Sequence, residues 1–291
     1  MQLRQQGIED VLVDSVLSAA YGIPLVVTFH GYDASSLLRN RTYVRDLGPL
    51  FDHSHVIAIS RRMAARLREL GAREEAIDHH YIGVPLDAFP FVERRPVAEK
   101  LRAGEPIRFL QVSNFVEKKG HATTVEAFAR FAGPGSNWTL TLAGEGVLRR
   151  DIEDRVRRAG LGDRIHFVGK VGQEDVVDLM SRCDVFVHHS VTAANGDQEG
   201  IPTVLMEAMA MGLVVVSTRH AGIEELVESG VTGFLTNERD VEAYVGVLRG
   251  LADADPDLPR RARARIERDF DMSKQNRELA RLYGKVLARR P

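Results

Sequence analysis

The sequence predicts an α/β protein in which two domains each contain a parallel sheet covered by helices. From residue 107 to residue 217, short apolar runs alternate with helix-length segments, as expected for strand–helix–strand units with right-handed crossovers. Residues 23–29 form a continuous apolar run, which is typical of a parallel strand buried on both faces. The 291 residues are enough for two domains of ordinary size.

Composition excludes several classes of protein. The apolar fraction of 44% and the charged fraction of 27% are those of a globular protein, and the net charge of −2 argues against a nucleic-acid binder. The single cysteine, Cys183, allows no intrachain disulfide, fits a reducing cytosol and is expected in the core. No apolar run could span a membrane and the start of the chain lacks an apolar signal core, so we expect a cytoplasmic protein.

The first domain is assigned to residues 1–98. Its expected elements are a helix over 8–20, the strand at 23–29, a second strand at 56–59 and a helix capped by Ser60. Residues 90–106 are rich in proline and charge and are interpreted as a linker.

The second domain is assigned to residues 99–272. Its strands are predicted at 107–113, 138–143, 165–168, 184–188 and 213–217. Its helices are predicted near 120–132, 147–159, 173–182 and 202–211. The rest of the chain is expected to be mainly helical, ending in a helix over 273–288.

Residues 188–212 combine a strand end, a polar loop and the start of a helix. Asn195-Gly196 marks a turn, Pro202 opens the helix and Gly212 ends it. Free backbone N–H groups at a helix start, together with the helix dipole, favour a phosphate. The order of these pieces therefore predicts an anion site.

Two carboxylates frame this site. Glu199 precedes the helix, and Glu207 lies one turn beyond Thr203 on a similar face. A carboxylate beside a phosphate is unfavourable unless a neutral group lies between them, and a sugar diol can donate two hydrogen bonds to a carboxylate. A ligand that carries both a phosphate and sugar diols is therefore indicated, namely a nucleotide diphosphate sugar.

The segment E-G-I-P-T-V-L-M-E resembles the E-x7-E motif of retaining GT-B glycosyltransferases. Its flanks are similar to family-4 enzymes of bacterial exopolysaccharide synthesis, above all the colanic acid and amylovoran glycosyltransferases. The resemblance implies two Rossmann-type domains facing a cleft, with residues 273–291 packing back on the first. That first domain is expected to be incomplete, because the family's first strand and glycine-rich loop have no counterpart in this sequence.

The implied activity is transfer of a hexose from a UDP- or GDP-sugar to a saccharide or polyprenyl-linked hydroxyl, with retention and without a metal or cofactor. In the family, the lysine of the loop resembled by S-N-F-V-E-K-K-G grips the diphosphate, which implicates Lys119. Asn114 stands where the family usually has arginine. Glu199 would orient the donor sugar, Glu207 would hold the ribose, and His30 would face the sugar from the first domain.

The remaining donor-binding residues are backbone positions. The N–H groups of the helix start would hold the diphosphate, implicating Gly200, Ile201 and Thr203, together with Pro202, which opens the helix but has no N–H of its own. The resemblance also implicates residues at two further strand ends, namely Gly144, Glu145, Val168 and Lys170. A plain strand end or strand-to-helix turn explains these last four equally well, and Asp33 is equally expected as a turn residue.

Alternatives to a transferase stay open. A sugar-nucleotide epimerase of the same fold, or a non-catalytic sugar-nucleotide binding module, would use the same donor residues. The arginine-rich stretch 61–68 is expected to be a solvated helix face, with peripheral membrane contact as the alternative. An uncovered sheet edge near residues 25–29 predicts self-association into a homo-oligomer.

Overall fold

The computed structural model describes residue 18 and residues 20–133 and 137–288. Their strands form two parallel sheets. The first sheet has the order β1-β2-β3, with β1 (Leu25–Phe29), β2 (Ser54–Ala58) and β3 (Ile77–His79). The strands of the second are β4 (Ile107–Val112), β5 (Trp138–Ala143), β6 (Ile165–Gly169), β7 (Val185–His188), β8 (Val214–Thr218) and β9 (Phe234–Thr236). Its order is β6-β5-β4-β7-β8-β9, a doubly wound arrangement.

Helices connect and cover both sheets. Those of the first half are α1 (Arg41–His53) and α2 (Arg61–Glu69). Those of the second half are α3 (Val97–Arg102), α4 (His121–Phe131), α5 (Arg149–Arg158), α6 (Gln173–Arg182), α7 (Thr203–Ala210), α8 (Ile223–Leu226), α9 (Val241–Gly250), α10 (Leu258–Asp269) and α11 (Met272–Ala288). Single 3-10 turns lie at Ser36–Arg39, Glu74–Ala76, Glu117–Lys119 and Leu251–Asp253.

The predicted α/β class and parallel sheets are confirmed. Strands β4 to β8 lie within one residue of their predicted limits, because each carries apolar side chains that pack against the helices covering the sheet. The hydroxyl of Ser60 accepts the N–H of Met63 and caps α2 as expected. Strand β9 was not predicted, and β2 begins two residues earlier than predicted. The helix expected over 8–20 lies almost wholly outside the described residues.

The interpretation of residues 90–106 as a linker is wrong. They contain α3, and Lys100 on this helix forms a buried ion pair with Asp184, with Nζ–O distances of 2.7 and 2.8 Å. The Arg94 guanidinium donates to the carbonyls of Met180 and Cys183, each at 2.7 Å, at the end of α6. The charged residues that led to the interpretation as a linker therefore form hydrogen bonds and an ion pair with the second half of the chain.

The two halves meet along the carboxyl ends of their strands. The backbones of Val84 and Phe270 share a 2.8 Å hydrogen bond, and Val84 forms a parallel bridge with Asp271. Helix α11 contacts the end of β3, since the ring of His80 bonds the carbonyl of Gln275 at 2.8 Å. A cleft between the two sheets results.

Candidate functional site

A cavity of about 390 Å³ lies where strands from both sheets end. Loops following β1, β2, β4 and β7 contribute its walls, as expected for a ligand site at the carboxyl edge of parallel sheets. Eight residues implicated from the sequence line it, namely His30, Asn114, Lys119, Glu199, Gly200, Ile201, Pro202 and Thr203.

Two of the lining residues, Lys119 and Glu199, form an ion pair at this cavity. Lys119 Nζ lies 2.6 Å from Glu199 Oε1, and the two side chains are only 17% and 9% exposed. The loop conformation that presents Lys119 depends on Gly120, which has φ +65°, and a Cβ there would lie 1.7 Å from the carbonyl oxygen of His189. Only glycine fits this position, so the Lys-Gly pair positions the cation.

Glu199 is also held through its backbone. Its N–H donates to Nε2 of His220 at 3.1 Å, and Nδ1 of the same ring lies 2.6 Å from Glu238. Glu238 also accepts the N–H of Thr192 at 2.7 Å. Burial raises the pKa of Glu238, but its hydrogen bonds with His220 and Thr192 outweigh that effect and hold it below its usual value. Glu238 is therefore ionised, and because Nε2 of His220 accepts, the ring donates to Glu238 through a proton on Nδ1.

The sequence reasoning missed His220 and Glu238. His220 follows β8 by two residues, so it lies at the same sheet edge as the other candidate residues. Glu238 likewise follows β9 by two residues, so a polar residue just after a strand is the signal in the sequence that marks both His220 and Glu238.

The first half reaches the cavity through His30, Ile59 and Ile82. A Cβ on Gly200 would lie 2.4 Å from the carbonyl oxygen of His30, so the two loops touch through their backbones. The Asp33 carboxylate accepts the N–H groups of His30, Gly31 and Ala34 at 2.7–3.0 Å. Asp33 is thus a turn residue, and it shapes the loop that carries His30.

Comparison with known proteins identifies the family of this chain. Residues 94–268 match the sequence family described as glycosyl transferases group 1. The amylovoran biosynthesis glycosyltransferase AmsK of Erwinia amylovora is 34% identical over 267 residues, which cover 90% of this chain and 64% of that protein. The chain belongs to the group 1 glycosyl transferase family.

Further similarities support the fold. WcaL of Escherichia coli (strain K12), named for colanic acid biosynthesis, is 34% identical over 263 residues, covering 89% of this chain and 63% of that protein. The chain thus spans slightly less than two thirds of these relatives, 64% and 63%. The structure of Anabaena HepE in complex with UDP and glucose superposes with a TM-score of 0.80 at 24% identity, over 96% of this chain and 76% of that chain. The predicted GT-B fold is confirmed.

In this group 1 family member, Glu207 lies beside the cavity rather than in its lining. It is half-buried on α7, and burial raises its pKa to about 7, although a hydrogen bond from Thr203 opposes that shift. The start of α7 at Thr203 is exposed toward the cavity. A ligand phosphate at this helix start would place the groups attached to it within one helical turn of Glu207.

The residues proposed from the ends of β5 and β6 lie outside the cavity lining. The N–H of Gly144 donates to the carbonyl of Gly169 at 2.7 Å, and the Glu145 side chain pairs with Arg149. Val168 is 45% exposed and Lys170 is also exposed. Strand β5 is the neighbour of β4 and β6 is the next strand, so these residues lie at the carboxyl ends of the same sheet as Asn114 but away from the cavity.

Three buried histidines, two of them close enough to Lys119 to be affected by its charge, add no positive charge of their own. Burial lowers the pKa of His121 to about 3 and that of His189 to about 4, and it lowers the pKa of His188 well below its usual value. The charge of Lys119 adds to the effect on His121 and His188. All three are neutral near pH 7, so Lys119 supplies the positive charge that faces Glu199. Across the described residues no group of three or more His, Cys, Asp or Glu side chains is arranged to hold a metal ion. In the same part of the chain no helix is both long and apolar enough to cross a membrane.

Proposed function

We propose that this protein binds a nucleotide diphosphate sugar in the 390 Å³ cavity and transfers the hexose to a hydroxyl acceptor with retention. The observation that carries this proposal is the ion pair between Lys119 and Glu199, 2.6 Å apart at the start of α7. A cation, a carboxylate and free backbone N–H groups at one point match a diphosphate joined to a polyhydroxyl ring.

Binding of the donor exchanges the partners of this pair. The diphosphate takes the Lys119 ammonium and the N–H groups at the start of α7. Glu199 then accepts hydrogen bonds from sugar hydroxyls, with its backbone still held by His220. Glu207 accepts from the ribose hydroxyls, which requires its ionised form.

Stabilisation of the leaving diphosphate supplies the main catalytic effect. Negative charge develops on the diphosphate as the glycosidic bond breaks, and Lys119 is already positioned in a site that is largely shielded from water. His30, at the end of β1, faces the donor from the first half of the chain. This arrangement assigns no enzymic nucleophile.

UDP is the first nucleotide to test, because HepE is described in complex with UDP, UDP-glucose and glucose. GDP stays as the alternative, since a relative from Mycolicibacterium smegmatis is named as GDP-mannose-dependent. The acceptor we expect is a saccharide or lipid-linked hydroxyl, in a cytoplasmic setting with peripheral membrane contact.

Calorimetric titration with UDP and with GDP tests the proposal. Glu207→Gln should weaken nucleotide binding by roughly 1–3 kcal/mol, the usual cost of losing a hydrogen bond to a charged group. Glu174→Gln, an exposed position on α6, is the matched control. Unchanged affinity in a folded Glu207→Gln variant would remove Glu207 from the site, and no binding of either nucleotide would overturn the donor assignment. Binding with no turnover of UDP-sugars across an acceptor panel would identify a binding module.

A further inference from the structure

A second cavity, of about 550 Å³, lies on the other side of Glu199. Its walls come from the 3-10 turn Ser36–Arg39, helix α2, and the loops around Gly196 and Gly222. Glu199 lines both this cavity and the donor cavity. A molecule in the second cavity would therefore lie directly next to the proposed donor sugar.

The charges lining this cavity do not balance. Three arginines face it, but Arg66 is paired with Glu69 at 2.9 Å. The other lining carboxylate, Glu199, is neutralised by Lys119. Among the described residues no carboxylate forms an ion pair with Arg39 or Arg62, whose side chains therefore contribute two uncompensated positive charges to the cavity.

One of these cations is already fixed in position. Arg39 Nη1 donates to the carbonyl of Ala194 at 2.7 Å, and its Cδ packs close to Gly196, whose missing Cβ would lie 3.0 Å away. A neutral carbonyl holds the guanidinium without cancelling its charge. The remaining donors of the planar group stay available for an anion.

The start of helix α2 is not the anion site. The backbone N–H groups of Arg61 and Arg62 both donate to the carboxylate of Glu225, at 2.8 and 2.9 Å. The helix start thus already has a negative partner, and only the side chain of Arg62 is free to face the cavity. Leu38, Met63 and Ala65 provide apolar surface beside these cations, which suits a sugar ring or a short alkyl segment.

We propose that the second cavity binds the acceptor, and that the acceptor carries a phosphate or carboxylate held by Arg39 and Arg62. This inference rests on the function proposed above, because it assigns the acceptor of the same transfer. The acceptor hydroxyl would lie beside Glu199, and its anionic group on the first-half side, where the two uncompensated guanidinium groups are.

Binding of inorganic phosphate in the presence of saturating UDP tests the site. UDP fills the donor cavity, so the remaining phosphate binding, followed by ³¹P NMR at constant ionic strength, reports on the second cavity. The double variant Arg39→Gln/Arg62→Gln should bind phosphate at least about tenfold more weakly, since each arginine supplies charge-assisted hydrogen bonds. Arg102→Gln, an exposed arginine on α3, should behave as wild type.

Two further binding experiments distinguish the possible sources of the anionic group. Glucose 1-phosphate represents a soluble sugar phosphate, and vesicles containing phosphatidylglycerol, compared with pure phosphatidylcholine vesicles, represent a lipid-linked one. Arginine-dependent binding in either arm supports the proposal and identifies the source. Phosphate that only competes with UDP, or binding that persists in the double variant, would overturn it. Measuring UDP affinity alone distinguishes this outcome from failure of the donor site. If UDP does not bind, the same comparison between wild type and the double arginine variant is made without UDP.

Discussion

Nε2 of His220 accepts a hydrogen bond from the backbone N–H of Glu199 at 3.1 Å, while Nδ1 of the ring bonds Glu238 at 2.6 Å. His220 is almost fully buried. It therefore links a carboxylate near the end of the second sheet to the loop that carries the proposed donor-binding glutamate. The Glu199 side chain can point at the cavity because its own backbone is held on the other side.

Replacing His220 should impair transfer more than binding. His220→Ala removes the acceptor of the Glu199 N–H and should lower kcat by about 10- to 100-fold, because small displacements of a positioning group are costly. His220→Gln, which can accept through Oε1 and donate through Nε2, should recover much of this loss. Initial rates of UDP release and calorimetric UDP affinity measure the two effects. A folded His220→Ala variant with unchanged kcat would rule out the positioning role.

The fold was predictable where local pattern and tertiary context agree. Most side chains of β4 and β7 are buried, among them Phe109, Leu110 and Phe186, so these segments have one low-energy solution, a strand packed between helices. The segment containing α3 was misassigned because Lys100 reads as a surface residue until its partner Asp184, 84 positions away, is known. The strand-end position of His220 could be inferred from the sequence, but its role could not, because that role depends on Glu199 and Glu238 meeting in space.

The ion pair between Lys119 and Glu199 should be strongly coupled in folding. Lys119→Met leaves a carboxylate that is 9% exposed without its cation, which should cost roughly 2–4 kcal/mol of unfolding free energy. The double variant Lys119→Met/Glu199→Gln should cost less than the sum of the single variants. Urea unfolding of a double-mutant cycle measures this coupling energy.

A surface pair provides the control for that cycle. Arg157 and Asp154 lie 3.1 Å apart on α5 with side chains 77% and 54% exposed. Their coupling should stay below about 1 kcal/mol. Equal coupling in the two cycles would show that the Lys119–Glu199 pair is no better shielded from solvent than a surface contact.

Asn114→Arg should strengthen nucleotide binding. Asn114 is exposed and lines the rim of the donor cavity at the end of β4. A guanidinium there can bond a diphosphate in a bidentate manner, which should raise UDP affinity by roughly tenfold. Calorimetry at low and moderate salt, with Asn114→Gln as the neutral control, measures the gain. Affinity that stays flat or falls would mean that this loop does not face the phosphates.

Glu207 should make stability depend on pH. Burial raises its pKa from 4.5 to about 7 in the folded protein. Between these values the folded state keeps a proton that the unfolded state has lost, so stability falls as pH rises and the loss is complete above the folded pKa. Glu207→Gln lacks this titration. Relative to wild type it should gain stability from about pH 5 to about pH 8, by up to about 3 kcal/mol, as measured by urea unfolding at each pH.

The same carboxyl group should release a proton when a nucleotide binds. Ribose hydroxyls donate to the ionised form of Glu207, so bound UDP should lower the pKa of Glu207 from about 7 and expel its proton near pH 6. Calorimetry in buffers of different ionisation enthalpy counts that proton. The phosphate groups of UDP titrate equally in both proteins. The difference in proton release between wild type and Glu207→Gln therefore comes from the carboxyl group alone. Equal proton release from the two proteins, with equal affinity, would place the ribose away from α7, and the donor would then have to lie along the ends of β5 and β6 instead.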